Sequence, residues 1–249
     1  MNSPLFAALM TFAMLAPAVA QQRQVPTNVI SASVPAAPRA EQQWTRLVSY
    51  INGLPESHRA GHVNLVMNGF RYAPDIETTG EEDHWDTPLE FVGRGAGDCE
   101  DFAIAKYFML LEAGIAPELV RLAFVFYTGD AKALGVTVAQ PKRTHVVVLH
   151  YQHIGDHDPL VLDAVPHIAP LSERADLHLV FEFGADGNYT SAVSEAMVST
   201  RAINRMMAKW TDVLDRMRGD GGREAVMLAL GNRGPAPQVA QSAMPVRAR

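Results

Sequence analysis

The chain has 249 residues, 48% of them hydrophobic and 19% charged, a composition that excludes a disordered or fibrous protein and allows one well-buried core. Its formal net charge of −6 comes without a basic cluster, which excludes the charge pattern of a nucleic-acid-binding protein. Because Cys99 is the only cysteine, a fold held together by intrachain disulfides is also excluded.

The first 20 residues predict a secretory signal peptide. They carry no charged side chain, and an apolar run that starts at Leu5 ends in Ala18-Val19-Ala20, a small-residue cleavage sequence. The usual positive charge near Met1 is missing, so an uncleaved anchor is the alternative, although the run is short for a bilayer span. Export of this kind predicts a protein in an oxidising compartment, where a free thiol must be buried or used.

The composition predicts four segments: a signal peptide at 1–20, a flexible leader at 21–40, one folded domain at 41–218 and a loosely ordered tail at 219–249. The leader is rich in Pro, Ala, Ser and Gln without a hydrophobic period, and the tail is rich in Gly, Pro and Ala. A monomer is the default expectation, because the helices and strands of the domain can close one core.

The domain begins with helical periodicity at residues 44–51 and again at 63–70, before Pro74 breaks the pattern. The next segment, 76–96, is polar and acidic and contains several glycines and a proline. It predicts a long loop that wraps the front of the following helix.

The clearest element is a helix that starts after Asp98, a good N-cap residue, and ends before Gly114, a good C′ residue. Cys99 falls in its first turn, four residues before Ala103, and therefore on the buried stripe of the helix. The stripe consists of Ala103, Ile104, Tyr107, Phe108 and Leu111.

After this helix the hydrophobic period changes to two, which indicates β-strands joined by short connections in an antiparallel sheet. The predicted strands are Val120–Tyr127, Thr144–Tyr151, Leu160–Ala164 and Leu177–Phe183. An amphipathic helix is predicted over residues 192–218.

Two polar residues interrupt these apolar strands and point to catalysis. His145 starts one strand and Asp163 interrupts the next, so antiparallel pairing of positions 151 and 160 would bring the two side chains within reach. A cysteine at a helix N-terminus becomes a strong nucleophile beside an imidazole. Cys99, His145 and Asp163 thus fit a nucleophile, a base and a group that orients the base.

The residues alone leave simpler interpretations open. Cys99 also fits a small buried hydrophobic residue, which is a common role of free cysteine. Asp98, Glu100 and Asp101 also fit a helix N-cap and first-turn acids that interact with the helix dipole, and these roles need no metal.

Three blocks of the sequence, GDCEDFAIAKYFMLLEAGI, THVVVLHY and LVLDAVPHIAPLSERADL, resemble the bacterial transglutaminase-like cysteine proteinases, the LapG family. The resemblance implies an α+β, papain-like/transglutaminase-like fold, with N-terminal helices including the nucleophile helix packed on an antiparallel sheet and a C-terminal helix. It also implies that Cys99 is the nucleophile, His145 the general base and Asp163 the residue that orients it.

The resemblance further implies a calcium site at the acids that flank the cysteine, namely Asp98 and Glu100, with Asp101 as a weaker candidate. Calcium takes several oxygen ligands, and its charge would cancel the anionic field that otherwise raises the pKa of the thiol.

Members of that family are periplasmic, calcium-dependent proteases that clip the N-terminal region of giant surface adhesins and so release a biofilm cell. The resemblance therefore implies an adhesin as substrate and the periplasmic domain of an inner-membrane cyclic-di-GMP receptor as inhibitor. Two alternatives use the same residues or fold: a cell-wall peptide amidase or acyltransferase, and a catalytically silent transglutaminase-like binding module. The intact Cys, His and Asp argue against the silent module.

Overall fold

The computed structural model of the protein describes residues 37–129, 143–186, 189–192 and 198–219. The predicted signal peptide, most of the leader and the tail from residue 220 onward lie outside the described residues. Among the described helices, none combines the length and the hydropathy that a bilayer span requires.

Four helices form the N-terminal part of the domain: α1 (Ala37–Asn52), α2 (Glu56–Met67), α3 (Asp75–Thr78) and α4 (Pro88–Arg94). Helix α1 begins four residues before the predicted domain start at residue 41. Helix α2 begins seven residues before the predicted periodicity at residue 63, because its first turns are polar and exposed.

Helix α4 lies inside the segment that the sequence predicts to be a loop, so this prediction was wrong. Its start is a capping box, in which the Glu90 amide donates to Thr87 Oγ1 (3.3 Å) and the Thr87 amide donates to Glu90 Oε2 (2.7 Å). Pro88 occupies its first turn, and Gly95 ends it with φ of 73°. The proline and glycines that suggested a loop are therefore the start and stop signals of a short helix.

The predicted central helix is confirmed as α5 (Cys99–Glu112). Every residue from Glu100 to Leu110 is buried, so other elements cover the helix on all sides. Gly114 follows it with φ of 84°, the left-handed conformation expected of a C′ residue.

A six-stranded antiparallel sheet packs against α5, and its strands are β3 (Val120–Tyr127), β4 (Arg143–His150), β5 (Leu160–Leu162), β6 (Ala169–Pro170), β7 (Leu177–Phe183) and β8 (Tyr189–Ser191). Their order across the sheet is β6-β5-β4-β3-β7-β8. The four predicted strands are confirmed, whereas β6 and β8 are too short to show a period. A separate parallel pair joins β1 (Arg71–Tyr72) to β2 (Ala96–Gly97).

The sheet separates two apolar clusters. The larger one contains α5 together with Val146 and Val148 of β4, and the smaller one contains Val147 and Leu149 of the same strand. The last helix, α6 (Thr200–Gly219), joins the larger cluster through Trp210, whose ring lies 5.8 Å from Phe108 by centroids. It begins eight residues later than predicted, and residues 193–197 lie outside the described residues.

Candidate active site

Cys99 is the first residue of α5, and the backbone before it is tightly packed. The parallel pair β1–β2 sets Tyr72 opposite Gly97, and the Ala73 amide donates to the Gly97 carbonyl at 2.8 Å. A Cβ at Gly97 would lie 2.4 Å from Asp101 Oδ2, so only glycine fits there. This packing fixes the backbone position of Cys99 at the start of α5.

His145 and Asp163 form a buried pair on the neighbouring strands. His145 Nε2 lies 2.7 Å from Asp163 Oδ1, and the two residues are 2% and 1% exposed. The pairing register is one residue away from the prediction, because His150 rather than Tyr151 lies opposite Leu160. Since Nε2 is held by the carboxylate, the other ring nitrogen, Nδ1, is left to act as the base.

Arg174 completes this pair, and sequence reasoning assigned it no chemistry because the segment around it is typical of a turn. Its Nη2 donates to Asp163 Oδ2 and to Asp176 Oδ2, both at 2.8 Å. Burial raises the pKa of the Asp163 carboxyl, but hydrogen bonds and charge from His145 and Arg174 outweigh it and hold the pKa well below its usual value. Asp163 therefore carries the negative charge that stabilises a protonated imidazole.

Cys99 and His145 both line one cavity of about 450 Å³. The Cys99 thiol, however, donates its hydrogen bond to Glu100 Oε2 at 2.9 Å and not to His145. The ring of His145 lies beside Tyr127, with ring centroids 5.7 Å apart. The structure thus brings the predicted base and the predicted orienting acid into contact and leaves the thiol paired with a carboxyl group.

Among the residues that the structure describes, five acids near the start of α5 form two groups that could hold a metal ion: Asp75, Asp83, Asp98, Glu100 and Asp101. Ligand atoms of Asp75, Asp98 and Asp101 lie within 4.8 Å of one another, and so do those of Asp75, Asp83 and Glu100. The sequence predicted three of these acids and missed the other two, which lie 16 or more residues before Cys99 without a spacing pattern. The Pro74-Asp75 step, interpreted only as a helix break, was the one signal in the sequence.

The acids around Cys99 have pKa values raised by burial and by one another. The pKa of Asp98 rises to about 10 and that of Glu100 to about 7, and the pKa of Asp101 lies well above its ordinary value. Burial first, and then the charges of Glu100 and Asp98, raise the pKa of the Cys99 thiol as well. Without a counter-charge the thiol stays protonated, and so it is a poor nucleophile.

The donor set fits a hard cation. Asp75 Oδ1 and Asp98 Oδ1 are buried and have no hydrogen-bond partner, which is costly for carboxylate oxygens. Calcium binds several carboxylate oxygens in a flexible geometry, so it would satisfy both atoms. Asp101 is less available, because its oxygens accept from the amides of Asp86 (2.8 Å) and Asp98 (3.0 Å).

Helix α6 holds the acidic loop between α3 and α4 in place. Lys209 Nζ lies 3.0 Å from Asp83 Oδ2 and also donates to the Asp83 carbonyl. Two turns further along the helix, Arg216 donates to the Trp85 carbonyl and pairs with Glu90. The C-terminal helix therefore fixes one of the five acids and the segment that follows it.

Comparison with known proteins gives consistent matches. The sequence model of the family described as bacterial transglutaminase-like cysteine proteinase, BTLCP, matches residues 56–158, which include Cys99 and His145. The structure of Legionella pneumophila LapG is 27% identical and covers 73% of this chain and 89% of its own, with a TM-score of 0.55. No curated protein sequence matches the chain significantly.

Two further matches are forms of the same Legionella protein with different metal content. Calcium-bound LapG is 28% identical and covers 74% of this chain and 92% of its own, with a TM-score of 0.55. EGTA-treated LapG is 27% identical and covers 73% and 89%, with the same TM-score.

Proposed function

We propose that this chain is a calcium-dependent periplasmic endopeptidase of the bacterial transglutaminase-like cysteine proteinase family, whose sequence model matches residues 56–158. The observation that carries the calcium dependence is the buried acid cluster beside the only cysteine, with two carboxylate oxygens that lack a partner. The solved calcium-bound form of the LapG relative supports the same metal.

The reaction proposed is acyl transfer through Cys99. His145 takes the thiol proton at Nδ1, while Asp163 holds Nε2 and stabilises the imidazolium. The thiolate attacks the peptide carbonyl, the imidazolium returns the proton to the leaving amine, and a water molecule then releases the acyl group. The backbone amide of Cys99, at the start of α5, is placed to donate to the oxyanion.

Asp75, Asp83, Asp98 and Glu100 would hold the calcium ion, with Asp101 as the fifth candidate. The bound ion supplies positive charge that offsets the anionic field at the thiol. With its oxygens engaged as ligands, Glu100 would no longer accept the thiol hydrogen bond. Cys99 would then be free to turn towards His145 inside the shared cavity.

The substrate proposed is the N-terminal region of a large cell-surface adhesin, whose cleavage releases the adhesin and promotes biofilm dispersal. The resemblance to the LapG family supports this substrate, and it supports an inhibitor as well, the periplasmic domain of a cyclic-di-GMP receptor. The cavity beside Cys99 supports a peptide substrate, because Phe124, Phe126, Val146 and Met206 give it apolar walls for a side chain. Export by the predicted signal peptide would place the enzyme in the periplasm.

The test is cleavage of an adhesin N-terminal fragment by the mature protein with calcium, with excess EGTA, and with Cys99→Ala. We expect cleavage only by the wild-type protein with calcium. Cleavage that is unaffected by EGTA would contradict the calcium role and return the acids to helix capping. If the fragment stays intact but cell-wall peptides are hydrolysed, the amidase takes the place of the adhesin protease.

A further inference from the structure

Helix α5 carries a second reactive side chain, Lys106, which the reaction above does not use. It lies seven residues after Cys99, two turns along the same helix, and its side chain is 0% exposed. Its Nζ donates to the backbone carbonyl of Asp163 at 2.5 Å and to Asn68 Oδ1 at 2.7 Å. Helix α5, which carries the proposed nucleophile, is thus hydrogen-bonded to Asp163, the residue proposed to orient the base.

Asn68, just after the end of α2, completes this connection. Its Nδ2 donates to the Asp163 carbonyl at 3.1 Å and to the Val165 carbonyl at 2.9 Å. Asn64, one turn earlier, donates to the carbonyls of Val165 and Pro166, both at 3.4 Å. Strand β5 ends at Leu162, so these side chains hold the turn that carries Asp163 after the sheet has stopped.

A buried lysine is costly for stability, and it needs a reason. Burial lowers the pKa of Lys106 to about 7, against the opposing influence of the Asp163 charge. A methionine of similar volume would fill the same space without that desolvation cost. What a methionine lacks is the donor that binds the Asp163 carbonyl and Asn68.

We propose that Lys106 and Asn68 are positioning residues for catalysis, which fix the Asp163 turn to the nucleophile helix and so set the orientation of the His145 ring. The proposal rests on the catalytic roles of Cys99, His145 and Asp163 in the proposed function. Because Asp163 holds the ring through its side chain, a shift of its backbone moves the ring and with it Nδ1, the nitrogen that takes the thiol proton in the proposed reaction.

The first test does not depend on protease activity. In ¹⁵N-histidine-labelled protein, the Nε2 proton shared by His145 and Asp163 should give a downfield NMR signal, assigned by its loss in His145→Gln. Lys106→Met should shift this signal or broaden it by exchange with water. Met109→Ala is the control, because Met109 is buried on the same helix and the substitution creates a cavity without touching the turn. An unchanged signal in folded Lys106→Met would overturn the proposal.

The second test uses the adhesin fragment. A small displacement of a catalytic group can cost about 100-fold in rate, so Lys106→Met should lower kcat by about 10-fold to 100-fold with KM within about twofold. Lys106→Met combined with Asn68→Ala should cost no more than the larger single effect, because both act through one turn. An equal loss of kcat in Met109→Ala at matched Tm would make Lys106 merely structural.

One outcome separates this proposal from the proposed function, and a second variant keeps the test available. If wild-type protein shows the downfield signal and Lys106→Met loses it, the positioning role holds even when no fragment is cleaved. If Lys106→Met does not fold, Asn68→Ala at the half-buried end of α2 takes its place in both experiments.

Discussion

The two sides of the candidate active site contain aspartates in opposite electrostatic states. On the sheet side, Asp163 is bonded to His145 and Arg174, and its pKa lies well below the usual value. On the helix side, Asp98 is surrounded by other acids, and its pKa rises to about 10. The sheet side is electrostatically complete within the protein, whereas the helix side is incomplete, because its acids raise one another's pKa values.

The largest expected effect is on the complete side. Asp163→Asn keeps the size of the side chain but removes the charge that stabilises the imidazolium, and a similar change in a serine protease triad lowers kcat about 10⁴-fold. We expect a loss of about that size, measured on the adhesin fragment with saturating calcium. A loss below about tenfold would show that the His145–Asp163 pair is not part of the catalytic machinery.

On the incomplete side, Asp98→Asn should weaken calcium binding and activity together. Calcium at 100 times its Kd stabilises a folded protein by about 2.7 kcal/mol, so wild-type Tm should rise on calcium addition. Asp98→Asn should reduce that rise. It should also make the calcium-free protein more stable than wild type, because the raised pKa shows that the folded state disfavours the charged form of Asp98. Glu112→Gln, a change to an acid on α5 outside the cluster, serves as the control.

The two sides should also differ in how pH affects stability. The pKa of Glu100 is raised to about 7, so between pH 4 and 7 the unfolded chain loses this proton while the folded chain keeps it. Calcium-free protein should therefore lose stability as pH rises through this range, at about 2–4 °C in Tm for each 1 kcal/mol. Glu100→Gln should flatten the profile in EGTA, and a profile that rises with pH instead would contradict the raised pKa.

Asp163 affects the pH dependence of stability in the opposite direction. Its pKa is depressed in the folded state, so its contribution is present above the unfolded value near 4 and is lost as pH falls below it. Acid unfolding of the calcium-free protein should therefore be displaced towards neutral pH in Asp163→Asn.

The smallest effect concerns the backbone that supports the acids. Gly97→Ala should destabilise the protein by about 1–3 kcal/mol, because its Cβ would overlap the Asp101 carboxylate. Gly61→Ala is the matched control, since nothing lies within 4 Å of a Cβ there and the site is an exposed helix position. It should stabilise the protein by about 0.5–1 kcal/mol, as measured by chemical denaturation.

The elements that the sequence could predict are those with a strong local period. Helix α5 and strand β4 contain long apolar patterns, and the position of Cys99 at the helix start follows from the capping signals around it. Helix α4 was missed because it is seven residues long and begins with a proline, so turn signals outweighed its short period. The β4–β5 register was missed by one residue because the connection between the strands, residues 151–159, is too long for a tight turn to fix the pairing.

The site was predictable where chemistry and local position coincide, and not where the fold brings distant residues together. His145 and Asp163 stand out as polar residues in apolar strands. Asp75 and Asp83 do not, because acids in a polar segment look the same whether or not they face the helix start. Arg174 also escaped prediction, since only the folded turn shows that its guanidinium meets Asp163.

The contacts of α6 have a consequence for when the enzyme becomes active. Lys209 binds Asp83, and Arg216 binds the Trp85 carbonyl, so the segment in front of Cys99 is held by residues more than 120 positions later in the chain. A polypeptide still emerging from the ribosome or a translocation channel contains α5 long before it contains Lys209 and Arg216, which make these contacts. We therefore expect proteolytic competence to appear only on completion of the fold, which protects the nascent chain and its neighbours from premature cleavage.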